Sequence, residues 1–313
     1  MITNGGPKVG VFVDVSNIYS NGGMRMRFDV LRQYAQIHGS VQRLNAYVSL
    51  DTERARSDRD YSERTGRFHD VLRDLGFHTT VKEVRWYYDH DTDRRYGKAN
   101  ADMDMVIDMI NQSKNLDLII LLTGDGDFVR PMQYVRDMGS RVEVVAFENI
   151  SQTLRKEADF FMSGYLIPEL IPTNRRDRPW GQRGSTVRGF CYYHQEDESY
   201  GFLAFLDKIS PLTWVSDPRH PDSPYKAVFF HDSDLPDDIS PRDLPSRRLI
   251  VEFEVEQGDK GLVAENIRLA GARAEAIRGR LNQDARRESE NKTEYYGLGQ
   301  AEPGPGERGE RSG

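Results

Sequence analysis

The 313-residue chain is long enough for about two domains of ordinary size, each able to bury its own core. With 37% apolar and 30% charged residues it is neither disordered throughout nor built to span a membrane, and its longest aliphatic run, Leu118 to Leu122, is far short of a spanning helix. The net charge of −7 excludes a grip on nucleic acid by bulk positive charge. The single cysteine, Cys191, excludes an intrachain disulfide and a Cys-rich zinc site. No signal-peptide core lies between Met1 and Val15, so the expected location is the cytoplasm.

From Val9 to about Leu170 apolar strands, polar turns and amphipathic helices alternate, which predicts a mostly parallel sheet flanked by helices. Strands are expected at Val9 to Val13, Val41 to Ser49, Thr79 to Val84, Leu118 to Leu122 and Val142 to Phe147. Helices are expected at Phe28 to Ile37, Arg56 to Leu75, Asn100 to Ser113, Phe128 to Met138 and Ser151 to Phe160. The unbroken Leu-Ile-Ile-Leu-Leu run suits a parallel strand covered on both faces.

After Pro172 the composition turns to Asn, Arg, Pro, Gly and Ser, so 173–186 reads as a basic linker between a first unit, 1–172, and a second, 187–270. Five arginines (Arg175, Arg176, Arg178, Arg183, Arg188) against one aspartate, Asp177, suit contact with phosphate. The second unit has five short strands rich in aromatic and β-branched residues, as in a small barrel: Val187 to His194, Tyr200 to Leu206, Ala227 to His231, Leu249 to Val255 and Leu262 to Arg268. A polar insertion, Asp207 to Lys226, is expected to stand out as a loop. Residues 271–313 read as a charged helix followed by a Gly/Pro/Glu/Arg tail that cannot bury a core.

In an open parallel sheet, ligands sit beyond the carboxyl ends of the strands. Asp14 ends the first strand, in Val-Gly-Val-Phe-Val-Asp-Val-Ser-Asn17. Asp125 and Asp127 follow the fourth, in Leu-Leu-Thr123-Gly-Asp-Gly-Asp-Phe128, and Asp102 opens a helix. At 100° per residue, Met103, Val106, Ile107 and Ile110 form that helix's buried face, with Asp102 on its shoulder and Asp104 and Asp108 turned to solvent. Brought together, four carboxylates would repel one another unless a cation sat among them, and oxygen-only ligands select a hard ion, Mg²⁺ or Mn²⁺. Phosphodiester hydrolysis by an activated water suits such a centre. Gly124 and Gly126 would let the turn close tightly, and Asn17 and Thr123 either orient a ligand or bond local backbone. The competing reading makes these acids turn and helix caps. A dinucleotide fingerprint and a Walker motif are both absent.

Asp14 to Asn17, Asp102 to Asp108 and Thr123 to Phe128 together resemble the pattern of NYN domains of the LabA-like group, a branch of the PIN-like nucleases. The resemblance implies that Asp14, Asp102, Asp125 and Asp127 bind Mg²⁺ or Mn²⁺ and catalyse RNA cleavage.

In the second unit, alternation places Tyr200, Phe202, Phe229 and His231 on one face, a platform on which bases could stack or, equally, the inside of a barrel. Gly189 to Leu203, Val228 to His231 and Gly258 to Asn266 resemble a cold-shock domain, an OB-fold. Tyr193 stands where that family has tryptophan. The resemblance implies that Tyr193, Tyr200, Phe202, Phe229 and His231 contact RNA.

The sequence therefore predicts a metal-dependent ribonuclease acting on single-stranded RNA. A non-catalytic RNA-binding regulator and a metal-dependent phosphohydrolase of small substrates are the alternatives. A homo-oligomer is left open, and no membrane partner is expected.

Overall fold

The computed structural model describes residues 6–89, 94–173 and 178–271. Arg175, Arg176 and Asp177 of the basic run, and the expected charged helix and tail after Gly271, lie outside the described residues.

The chain opens with strand β1 (Lys8–Asp14), helices α1 (Val15–Ser20) and α2 (Phe28–His38), strand β2 (Ser40–Leu50), helices α3 (Thr52–Ser57) and α4 (Arg59–Asp74), and strand β3 (His78–Glu83). A hairpin of β4 (Arg85–Asp89) and β5 (Arg94–Lys98) leads to α5 (Ala101–Ser113), followed by β6 (Leu118–Leu122), α6 (Val129–Asp137), β7 (Arg141–Ala146), α7 (Gln152–Glu157) and β8 (Phe160–Ser163). These strands, other than the hairpin, form one parallel sheet in the order β3-β2-β1-β6-β7-β8. All five residues of β6 are buried, as a strand covered on both faces requires.

Four expectations are corrected. The helix expected from Arg56 to Leu75 breaks into α3 and α4 because the Asp58 carboxylate accepts the Tyr61 amide at 2.9 Å and caps a new helix. The expected last helix stops at Glu157, and Phe160–Ser163 pairs with β7 as the edge strand. Helix α5 buries Ala101, Met105, Met109 and Ser113 and leaves Met103 and Ile107 exposed. A four-residue stripe beginning at small Ala101 packs the two methionines against Phe12 and Tyr47 of the sheet. Asp108 consequently accepts the Tyr47 hydroxyl at 2.8 Å, and Asp104 pairs with Lys82 at 2.7 Å, so neither is simply a solvated acid.

The later strands, β9 (Thr186–Gln195), β10 (Tyr200–Leu206), β11 (Tyr225–His231), β12 (Ser246–Gly258) and β13 (Gly261–Leu269), close into a barrel in the order β10-β11-β13-β12-β9. Only the β11–β13 pairing is parallel, an order compatible with an OB-like fold. The fourth correction concerns the insertion before β11, which folds back onto the barrel: Thr213 is buried and its carbonyl accepts the Tyr225 hydroxyl at 3.0 Å.

Barrel and sheet share an apolar cluster that includes Tyr34 of α2 and Phe190, Leu206 and Tyr225 of the barrel. Arg188 lies at this junction, buried, donating to the Ile171 carbonyl at 2.7 Å and pairing with Glu252 at 2.7 Å. Arg183 pairs with Glu256 at 2.9 Å. Two arginines expected to meet phosphate are thus engaged with carboxylates. No helix among the described residues is long and apolar enough to cross a membrane.

Candidate active site

The order of the sheet reverses between β1 and β6: one branch runs outward to β2 and β3, the other to β7 and β8. Such a reversal opens a crevice at the carboxyl ends of the two central strands. Val13 and Leu122 are paired there, so Asp14 and Thr123, the residues that follow, face each other across the opening.

Asp14 is both the last residue of β1 and the cap of α1. Its Oδ1 accepts the Asn17 amide at 3.0 Å, and its Oδ2 accepts the Thr123 hydroxyl at 3.4 Å. The side chain is almost entirely withdrawn from solvent. Burial pushes its pKa from 3.8 up to about 6; the charges of Asp102 and Asp125 add to the rise, and the Asn17 amide and Thr123 hydroxyl oppose it. A carboxylate ending a strand, poorly solvated and facing two more acids, is electrostatically unstable unless protonated or neutralised by a cation.

The turn after β6 is built from local bonds. The Thr123 hydroxyl accepts the Asp125 amide at 3.2 Å, Asp125 Oδ1 accepts the Asp127 amide at 3.0 Å, and Asn17 Oδ1 accepts the Gly124 amide at 2.9 Å. Asn17 and Thr123 are therefore positioning groups. Neither Gly124 nor Gly126 adopts a positive φ. What Gly126 provides is close approach, since a Cβ there would stand 3.0 Å from the Ser151 hydroxyl that caps α7. The charges of Asp102 and Asp125 act on Asp14; Asp125 is half-buried, and Asp102 and Asp127 are both exposed.

Among the described residues, no three His, Cys, Asp or Glu side chains stand together at metal-binding spacing. Mg²⁺ commonly takes one or two protein carboxylates and completes its octahedron with water, so an oxygen-only set led by Asp14 fits a hard divalent ion without three direct ligands.

The barrel carries a second cluster. Tyr193, Tyr200, Phe202 and Phe229 all lie on its outer surface: Tyr200 and Phe229 are near-parallel with centroids 5.9 Å apart, Phe202 meets Phe229 edge-on at 5.8 Å, and Tyr193 lies 6.2 Å from Phe202. Tyr193 and Phe229 are 38% and 37% exposed. The barrel interior is filled by other rings, among them Phe205, Phe230 and Phe253. His231 is exposed and stands opposite Tyr200, its Nδ1 accepting the Ser233 amide at 3.2 Å. His194, by contrast, is tucked beneath, 2.8 Å from Asp232 and stacked on Phe230.

The crevice at the strand reversal and its Asp-led turn define an open parallel α/β domain with an acidic candidate site. The NYN domain profile matches residues 8–167, just over half of the chain, and the chain belongs to the NYN domain family, whose members are generally nuclease- or hydrolase-like. It is 28% identical over 179 residues to the low amplitude and bright protein LabA of Synechococcus elongatus, an alignment covering 55% of this chain and 92% of that protein. A solved structure of a Vibrio parahaemolyticus protein of unknown function is 24% identical, with a TM-score of 0.41, covering 52% of this chain and 96% of that one.

Proposed function

We propose that the chain is a divalent-metal-dependent ribonuclease that hydrolyses phosphodiester bonds of single-stranded RNA, and that the barrel, read as a cold-shock-like domain, holds the RNA on its outer rings. The observation that carries this reading is Asp14, buried at the strand reversal with its pKa raised to about 6 beside Asp102 and Asp125. A buried strand-end carboxylate that feels the charges of two further acids suits a cation-dependent centre better than a structural one.

Asp14, Asp102 and Asp125, with Asp127 at the rim, would hold Mg²⁺ or Mn²⁺. When bound, such an ion polarises the phosphoryl oxygen and lowers the pKa of water. Asp14 gains its negative charge as pH rises through about 6, and the Asn17 amide and Thr123 hydroxyl hold its two oxygens in place. Asn17 also fixes the turn that carries Asp125. On the barrel, Tyr193, Tyr200, Phe202 and Phe229 offer stacking surfaces and His231 a polar contact. Stacking tolerates any base, which suits binding of modest sequence preference.

The test is cleavage of labelled single-stranded RNA with Mn²⁺ or Mg²⁺, with and without chelator, in the unsubstituted chain and in Asp14→Asn and Asp125→Asn. Cleavage abolished by chelator and by either substitution, with binding retained, supports the nuclease. Binding without cleavage under any metal makes the protein a regulator, and turnover only of small phosphate esters makes it a phosphohydrolase.

A further inference from the structure

The hairpin of β4 and β5 pairs with no other strand among the described residues. It rises beyond the carboxyl ends of β2 and β3: the Val84 amide donates to the Leu50 carbonyl at 2.8 Å, and Trp86 Nε1 donates to Asp51 Oδ1 at 3.3 Å. Asp14 ends β1 on this same edge of the sheet. Strands spaced about 4.8 Å apart put β3 roughly 10 Å from β1.

Three consecutive rings on this hairpin, Trp86, Tyr87 and Tyr88, are exposed to 38%, 44% and 49%. Because side chains alternate along a strand, both faces of the ribbon present a ring. Cations flank them. The Arg95 guanidinium lies 5.2 Å over the Trp86 ring and pairs with Glu53 at 3.1 Å. At the root, Val81, Lys82, Glu83, Arg85, Tyr87 and Asn100 line a cavity of about 390 Å³, with two cations to one acid. Asn100 is the cap of α5, two residues before Asp102. Glu53 holds Arg95 in an exposed pair, which contributes little, and Asp104 holds Lys82 in a half-exposed one, so both cations are open to a competing phosphate.

We infer that the β4–β5 hairpin is a second single-strand-binding element, on which Trp86 and Tyr87 stack bases while Arg85, Arg95 and Lys82 contact phosphates, delivering the strand to Asp102. Rings interleaved with guanidinium groups match the two recurrent features of a single-stranded nucleic acid, base faces and backbone charge. The choice of RNA as substrate rests on the nuclease reading above; the role of the hairpin rests on its own residues and place in the fold.

The test measures the affinity of the full chain carrying Asp14→Asn, to prevent cleavage, for fluorescent oligouridine across a range of salt concentrations. Adding Trp86→Ala with Tyr87→Ala is expected to raise the Kd about tenfold or more. Arg85→Ala is expected to reduce the slope of log affinity against log salt by about one phosphate contact. Trp86→Phe keeps a ring while losing the bond to Asp51, and is expected to bind nearly as tightly as the parent. Unchanged affinity in the double alanine variant overturns the inference, as does a loss in Trp86→Phe equal to that in the alanine variant. Cleavage by the chain with Asp14 intact separates the two proposals. Hairpin-dependent binding with no cleavage under either metal leaves the hairpin element standing and removes the nuclease; cleavage with hairpin-independent binding does the reverse. No oligouridine binding at all overturns the hairpin element.

Discussion

Asn17 Oδ1 accepts the Gly124 amide at 2.9 Å, joining the helix that follows β1 to the turn that follows β6, 107 residues later in the chain. The same residue's amide donates to Asp14. One residue, through its backbone N–H and its side-chain oxygen, thus links the Asp14 strand end to the Asp125 turn. Asn17→Ala removes the partner of a partly buried N–H and is expected to cost on the order of 1–3 kcal/mol of stability, measured by urea unfolding. On the nuclease reading it also lowers RNA cleavage. A variant as stable as the parent would show that water replaces the carboxamide fully.

The raised pKa of Asp14 sets the sign of a pH effect. Between about pH 4 and 6 the folded chain binds the Asp14 proton more tightly than the unfolded chain does, so stability from this group is fully present below 3.8 and lost as pH rises through about 6. In divalent-free buffer at pH 8, Asp14→Asn is therefore expected to stabilise the chain by up to about 3 kcal/mol, with the gain shrinking as pH falls through 6 and vanishing near 4. Urea midpoints of the two proteins across that range check it. Equal midpoints at pH 8 would mean that the carboxylate is already compensated without a metal ion.

Arg188 carries a buried charge held by Glu252, which also pairs with Arg268, and its guanidinium stands 5.7 Å over the Tyr165 ring. Arg188→Ala strands the Glu252 carboxylate beside a single remaining cation and removes the bond to Ile171. The expected cost is about 3–5 kcal/mol. Thermal unfolding followed separately by near-ultraviolet and far-ultraviolet dichroism would also show whether barrel and sheet still melt together.

Phe202→Ala with Phe229→Ala removes two rings that touch each other on the barrel surface. The double variant is expected to raise the Kd for single-stranded RNA by one to two orders of magnitude, since each stacked base is worth about 1–3 kcal/mol. Filter binding in chelator reads this, and an unchanged Kd would assign the rings a purely structural role.

Much of the sheet is legible because burial on both faces leaves an unmistakable run such as Leu118–Leu122. The carboxylate positions are legible for a related reason: Asp14 directly follows one such run, and Asp125 comes three residues after the end of another. The orientation of α5 is not, because Met103 and Ile107 are as apolar as Met105 and Met109, and only the shape of the sheet beneath them decides between the stripes. The break at Asp58 has a local signal, an aspartate three residues before a helical amide, hidden inside a charged amphipathic stretch. The β4–β5 hairpin is the costliest omission. Its strands carry consecutive rings between charged residues and show no alternating apolar face, so no burial pattern marks them. The packed insertion is hidden for a different reason, since the Thr213 carbonyl meets the Tyr225 hydroxyl only once the barrel has formed.

The apolar cluster shared by Tyr34, Phe190 and Tyr225 leaves no layer of solvent between the barrel and the sheet at that junction. Tightly packed interiors resist sliding and bending. On the proposed reading, a polymer draped over the outer rings would meet the scissile centre after a set number of links, and digestion would trim fragments to a characteristic length. The protein would then work as a caliper, with its gauge set by the depth of that seam.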